Sequence, residues 1–223
     1  MANATDGTVR IIYKGGEGEI VEKKSRFIAT IRAVSSEEEA SAFINEMKKK
    51  YWDARHNCSA YIIGMHQELS RCSDDGEPAQ TAGRPMLDVL IKEHLTNVAV
   101  VVTRYFGGVL LGTGGLVRAY QSAVHAGLDA CCILERQEGS RLSVRTDYNG
   151  VGKLQYLFGQ QQIAILSSDY GADVTFEVLL PAAQKESLPK AITEATNGTA
   201  SLSIGDAVAY GIVDKQPVLL LDK

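Results

Sequence analysis

Between residues 100 and 120 an apolar β-branched run meets Arg104, Tyr105 and Phe106. Five glycines follow within nine residues, Gly107, Gly108, Gly112, Gly114 and Gly115, before a helical pattern opens at Leu116. Strand, glycine-rich turn and helix start, in that order, suit an anion. Glycines let backbone N–H groups approach a ligand closely, and the unpaired N–H groups and dipole of a helix start favour negative charge. The chemistry implied is capture of a phosphate by Gly112-Thr113-Gly114-Gly115, with Arg104 and Arg118 as flanking cations and Tyr105 as a stacking group. A packing role competes with this, because glycines before a helix also permit a tight turn or close helix-on-strand contact. The segment is not a Walker A loop, since no Lys-Ser/Thr follows the glycines. Nor is it G-x-G-x-x-G, since Val117 stands at the third glycine position. Nucleotide hydrolysis is poorly supported.

Three other segments carry chemistry-bearing side chains. Lys23-Lys24-Ser25-Arg26 puts three cations around a hydroxyl within an expected strand, as edge protection or as a phosphate contact. Asp53-Ala54-Arg55-His56 presents Arg55 and His56 just before a second strand. Asp74, Asp75 and Glu77 fall in a loop with Arg71 before it; they suit a magnesium ion, or, preferably, pairing with Arg55, Arg71 or Arg104. An EF-hand is excluded by spacing. The cysteines Cys58, Cys72, Cys131 and Cys132 form no CxxC pair, so neither a zinc site nor a disulfide is expected. No catalytic constellation of defensible geometry emerges, and no cofactor or metal is assigned.

The elements that must position these residues divide the chain. Residues 1–18 read as a flexible N-terminus, 19–136 as a mixed α/β domain and 137–223 as a second domain. In the first, a strand spans 19–34 and a helix 37–50, capped by Ser36 with acids first and lysines last. Further expected elements are a strand at 58–64, a loop at 70–85, a helix at 86–94, a strand at 97–103 and a helix at 113–132. The second domain reads strand (141–146), helix (148–161), hairpin (163–180), helix from Pro181 to Thr196, and strand (200–204). This βαββαβ order is the ferredoxin-like arrangement, while residues 207–223 stay open between a further strand and packing on a neighbour. The fold class is therefore α+β. The chain is 45% apolar and 22% charged, and no apolar run approaches the ~20 residues that cross a bilayer. A cytoplasmic protein without membrane contact is expected. Net charge is −4, with 16 basic against 17 acidic residues before position 137 and 7 against 10 after it. Nucleic-acid contact therefore requires a local patch rather than bulk charge.

Lys24-Ser-Arg-Phe-Ile28, Asp53-Ala-Arg-His56, Asp74-Asp-Gly-Glu-Pro78, Thr81-Ala-Gly83 and the segment from Arg104 to Leu116 together closely resemble the YigZ/Impact family, densely over residues 19–130. The resemblance implies an N-terminal domain similar to the second domain of ribosomal protein S5, and a C-terminal domain similar to the ferredoxin-like domain near the end of elongation factor G. Gln80 departs from the family pattern, which carries glycine there. Only about 18 residues precede the first expected strand, so the kinase-pathway partners of eukaryotic relatives are not carried over. Function is then expected to be regulation of translation through RNA or the ribosome. Lys24, Arg26, Arg55, His56, Arg71, Arg104, Arg118 and the 112–115 turn would hold phosphates, Tyr105 would stack, and Asp74, Asp75 and Glu77 would orient the cations. Two alternatives remain: an enzyme on a small phosphorylated substrate, with His56 as acid–base group, or a module that docks a protein partner through the second domain.

Overall fold

The apolar run 98–102 becomes the central strand of a five-stranded sheet, and both of its faces are covered, which explains why it does not alternate. The computed structural model describes residues 9–220. The chain forms two units, 1–135 and 136–223.

In the first unit the strands are β1 (Arg10–Lys14), β2 (Gly16–Glu22), β3 (Ser25–Ala33), β4 (His56–Ile63), β5 (Leu69–Ser73), β6 (Leu95–Thr96), β7 (Val98–Tyr105) and β8 (Cys132–Glu135). The helices are α1 (Glu37–Lys50), α2 (Gly83–Lys92) and α3 (Thr113–Asp129). The main sheet has the order β2-β3-β7-β4-β5, every pair antiparallel. On one face α1 buries Ala40, Phe43 and Met47 against Tyr61, Ala99 and Val101. On the other, residues of α2 and α3 including Met86, Leu90, Tyr120 and Val124 join Phe27, Cys58, Val100 and Val102. A second sheet, β6-β1-β8, closes this unit. The Ser36 hydroxyl accepts from the Glu39 amide and starts α1, as its position before three glutamates implies.

Several expectations are corrected. Residues 10–14 and 16–18, read as part of a flexible N-terminus, belong to β1 and β2; residues 1–8 lie outside the described residues. The single strand 19–34 is a hairpin, with Lys23 and Lys24 at φ +46° and +66° between the paired Glu22 and Ser25. That is the two-residue, left-handed turn a twisted hairpin prefers, and lysine is an unusual occupant of it. The loop 70–85 contains most of β5 and the start of α2. Cys131 and Cys132 do not sit in a helix: Cys131 follows α3 and Cys132 opens β8.

Gly18 explains how close α3 lies to β2. A Cβ on Gly18 would stand 2.2 Å from the Ala126 carbonyl oxygen, and one on Gly16 would stand 2.5 Å from that of Ala130. We predict that Gly18→Ala destabilises the protein by about 1–3 kcal/mol through overpacking. Gly152, in the interior of helix 148–160 with open space around it, should gain about 0.5–1 kcal/mol as alanine. Urea denaturation of both variants checks the pair, and equal effects of one sign would contradict the packing assigned to Gly18.

The second unit contains β9 (Gln137–Thr146), α4 (Tyr148–Gln160), β10 (Ile165–Tyr170), β11 (Val174–Pro181), α5 (Ser187–Ala195), β12 (Ser201–Val213) and β13 (Gln216–Leu220). Its sheet runs β10-β11-β9-β12-β13 with all neighbours antiparallel. The first four strands thus have the order of a βαββαβ ferredoxin-like sheet, with β13 added at one edge. Its core includes Leu142, Val144, Leu154, Phe158, Phe176, Val178 and Ile192. Asp147 caps α4 by accepting from the Gly150 amide at 2.9 Å. Pro181 ends β11 instead of opening a helix, and the expected helix 181–196 divides into a 3₁₀ turn (Ala182–Gln184) and α5.

Candidate functional site

One end of the first unit's main sheet gathers the start of β3, the end of β7 and the start of β4. In that register Phe27, Arg104 and His56 are neighbours across three strands. Arg104 is only 6% exposed and Glu77 8%. The Arg104 Nη1 donates to Glu77 Oε1 at 2.6 Å and its Nη2 to Ser25 Oγ at 3.4 Å. The guanidinium also lies over the rings of Phe27 and Phe106, 5.3 and 5.7 Å from their centroids. Glu77 Oε1 accepts a second bond from the Tyr120 hydroxyl at 2.8 Å, and the Cys58 thiol reaches that hydroxyl at 3.3 Å. Burial pushes the Tyr120 hydroxyl far up and the Cys58 thiol up to about 12, so neither ionises near neutrality. Arg104 is therefore not a phosphate contact. It is the buried centre of a network that fixes this end of the sheet.

The carboxylates of the 74–77 loop each have a separate task. Asp74 Oδ1 accepts from the amides of Ala82 and Gly83, and Oδ2 from that of Gln80, so Asp74 caps α2 where the N-cap residue Ala82 has no side-chain acceptor. Asp75 accepts from the Asn57 amide at 2.7 Å and from Lys48 Nζ at 2.6 Å. Of the three, Glu77 meets Arg104, Asp75 meets Lys48 instead of an arginine, and Asp74 meets only backbone amides among the described residues. No group of three or more His, Cys, Asp or Glu side chains is placed to hold a metal ion among the described residues. Gln80, where the family pattern has glycine, itself takes the left-handed conformation at φ +64°.

Burial alone would raise the Asp75 carboxyl, but the Lys48 ammonium and the Asn57 amide outweigh it and hold it below the usual carboxylate value. A carboxylate depressed in the folded state contributes stability above its unfolded pKa and loses it as pH falls through the folded one. The loop's anchor to β4 is thus complete at neutral pH and is given up only in acid below the ordinary carboxylate range. In Lys48→Met the Asp75 titration should move up towards that range when followed by carboxyl carbon NMR. An unchanged titration would contradict the pairing.

His56 Nδ1 lies 2.9 Å from the Asp75 carbonyl oxygen. A carbonyl only accepts, so the neutral ring carries its proton on Nδ1 and presents Nε2 as an acceptor. Around this half-buried group stands an exposed rim. Tyr105 donates to Asp53 at 2.8 Å and stacks beneath Arg26, 6.0 Å from its ring centroid. Arg26 is paired in two places with Glu19 at 2.7 Å, a surface contact weak enough to exchange for another anion. Arg55, Lys24 and Arg118 are exposed and have no ion-pair partner among the described residues. Gly107 passes so close to Lys24 that a Cβ there would stand 2.0 Å from the Lys24 carbonyl carbon, which places the glycine loop against the lysine turn. Gly112 precedes α3 at φ +74°, and no side chain caps the helix start at Thr113, Gly114 and Gly115. Arg118, Gly115 and Lys23 line a depression of about 430 Å³ between that start and the hairpin.

Arg71 does not join this group. It pairs in register with Tyr61, which pairs in turn with Ala99, five positions before Arg104 along β7 and so about 17 Å from this end of the sheet. The sequence reading also missed Trp52, 83% exposed beside Asp53, and Phe106, 45% exposed over Arg104. Neither carries a local pattern that marks it as exposed. The network partners Tyr120 and Cys58 were missed because an apolar-spaced helix and a buried strand give no sign of a polar tie.

The Impact N-terminal domain family model matches residues 23–128, and a domain of unknown function, DUF1949, matches 144–199. The IMPACT family member YvyE of Bacillus subtilis is 41% identical over 195 residues, covering 87% of this chain and 90% of that protein. The chain belongs to the IMPACT family. A second family member, YigZ of Escherichia coli, is 36% identical over 81% of this chain and 89% of its own. A crystal structure described as that of a hypothetical protein matches with a TM-score of 0.56 at 33% identity, over 89% of this chain and 97% of the other. The IMPACT N-terminal match begins at the Lys23–Lys24 turn and ends within α3, so it encloses the buried Arg104–Glu77 network and nearly all of the rim. No helix among the described residues is long and apolar enough to cross a membrane.

Proposed function

We infer that this IMPACT family member is a cytoplasmic, translation-associated protein that binds single-stranded RNA, as exposed on the ribosome, at the strand end of its first unit. The observation that carries this reading is the gathering of rings and cations at this sheet end: half-buried Tyr105 lies under Arg26 and bonds Asp53, which stands between exposed Trp52 and exposed Arg55, while exposed Phe106 meets Arg104 beside the glycine loop that packs on Lys24. Aromatic faces accept unstacked bases of any sequence, and unpaired cations track the phosphates between them. The overall charge of −4 confines such binding to this patch and makes it salt-sensitive. The buried Arg104–Glu77 pair supports the surface from beneath without touching the ligand. The turn at 112–115 gives uncapped amides to one phosphate, beside Arg118.

Fluorescence anisotropy of a labelled single-stranded oligoribonucleotide, against the same sequence as a duplex, tests the proposal, together with sedimentation on ribosomes at low and moderate salt. Binding of the single strand in preference to the duplex, and salt-sensitive co-migration with ribosomes, are expected. No binding to either RNA at low salt would overturn the reading.

A further inference from the structure

In the second unit a cleft of about 810 Å³ opens between the C-terminal part of α4, the start of β10 and the β12–β13 hairpin. Phe158, Ile163, Leu179 and Pro217 contribute apolar wall, and Ile165 and Ile212 line it while remaining exposed. Its size lies within the range of small-molecule sites. Neither family match assigns it a ligand, and it belongs to a different unit from the RNA-binding surface inferred above.

Two features define what the cleft would take. Tyr210 lines it yet is only 5% exposed, and its ring lies over Gly139, where a side chain would come within 3.3 Å of it. Its hydroxyl has no hydrogen-bond partner among the described residues, and burial alone acts on its titration, raising it. Although the ring is covered, the hydroxyl oxygen itself reaches solvent, so it stands open to a ligand in the cleft. The second feature is charge. Lys215 is the one charged side chain lining the cleft among the described residues, and no carboxylate does. It is held at the end of the hairpin by a two-residue turn in which Asp214 and Lys215 take φ +48° and +67°. The remaining polar groups are uncharged amides, among them Gln155 and Gln216.

We propose that this cleft binds a small apolar monocarboxylate, its hydrocarbon part against the Phe158 and isoleucine walls, its charge facing Lys215 and an oxygen accepting from Tyr210. Apolar burial supplies most of the affinity, and the two polar groups select for an anion with an acceptor over a neutral or cationic amphiphile.

The test uses the full chain with isoleucine δ-methyl groups labelled for NMR and octanoate as the probe, with 1-octanol as the neutral counterpart. Saturable shifts at Ile163, Ile165 and Ile212, with octanoate binding more tightly than octanol, are expected. Tyr210→Phe should weaken octanoate about 5-fold, while its thermal stability without ligand is unchanged, because the deleted hydroxyl bonds no other group of the protein. Lys215→Gln should remove the preference for octanoate over octanol, and it is a surface change that leaves folding intact. Absence of saturable shifts at millimolar octanoate, equal binding of the alcohol to the native chain, or binding untouched in both variants would overturn the proposal.

Discussion

Glu77→Ala is expected to lower the stability of the first unit by about 3–5 kcal/mol, far more than the loss of a surface ion pair, because it leaves the Arg104 guanidinium buried without its counter-charge. The same change strands the Tyr120 hydroxyl, which donates to the same carboxylate oxygen at 2.8 Å. The cost is one of desolvation more than of lost attraction. A guanidinium taken out of water needs an anion or full hydrogen bonding, and Ser25 at 3.4 Å cannot replace a carboxylate at 2.6 Å. The double variant Glu77→Leu with Arg104→Met should therefore recover most of the loss, since an apolar pair of similar bulk carries no desolvation penalty. Glu19→Ala, which breaks the exposed pair with Arg26, should cost far less. Hydrogen exchange of the Val100–Val102 amides in β7 reads the stability of this unit directly. A loss in Glu77→Ala no greater than in Glu19→Ala would contradict the buried network.

Removing the Tyr105 ring should weaken single-stranded RNA by the worth of one stacked base, about 1–3 kcal/mol or roughly 5- to 150-fold. Arg55→Ala should act differently, lowering affinity for all sequences alike and reducing the slope of log K against log salt by about one unit, as the loss of one phosphate contact requires. Arg71→Ala is the control. It carries the same charge change but lies on edge strand β5 in register with Tyr61 and Ala99, six positions along β7 from Tyr105, and its binding curve should match that of the native chain at every salt concentration. Equal losses at Arg55 and Arg71 would show a diffuse attraction instead of a site, and an unchanged affinity in Tyr105→Ala would rule out stacking on that ring.

Local chemistry made some of this legible in the sequence and left the rest hidden. Helix α1 could be read to its ends because Ser36, the three glutamates and the three lysines act within one turn of where they stand. The βαββαβ order of the second unit followed from alternating strands and two apolar helical spacings. The turn at Lys23 and Lys24 could not be seen, since lysine seldom adopts the left-handed conformation and nothing nearby signals it. Arg104 reads both as a flanking cation beside a glycine loop and as one of three arginines that the 74–77 carboxylates could pair with. Which carboxylate meets it is not legible, because Glu77 lies 27 positions away on a loop that only the β4–β5 pairing and the Asp74 cap bring under β7. Arg71 is parted from Arg104 for a related reason: an edge strand inside the expected loop carries it along the sheet to the register of Tyr61 and Ala99. The hairpin of β12 and β13, which forms part of the second unit's cleft, lies in a stretch whose apolar runs fit strand or surface packing equally.

The chain has one tryptophan, and it stands 83% exposed on the proposed RNA surface. Trp52 fluorescence, followed while a single-stranded oligoribonucleotide is titrated into the native chain, therefore tests the central claim most directly. Saturable quenching that fades as salt is raised, and that disappears in Arg55→Ala with Tyr105→Ala, is the predicted result. A tryptophan signal that stays flat at low salt while the RNA remains free would contradict it.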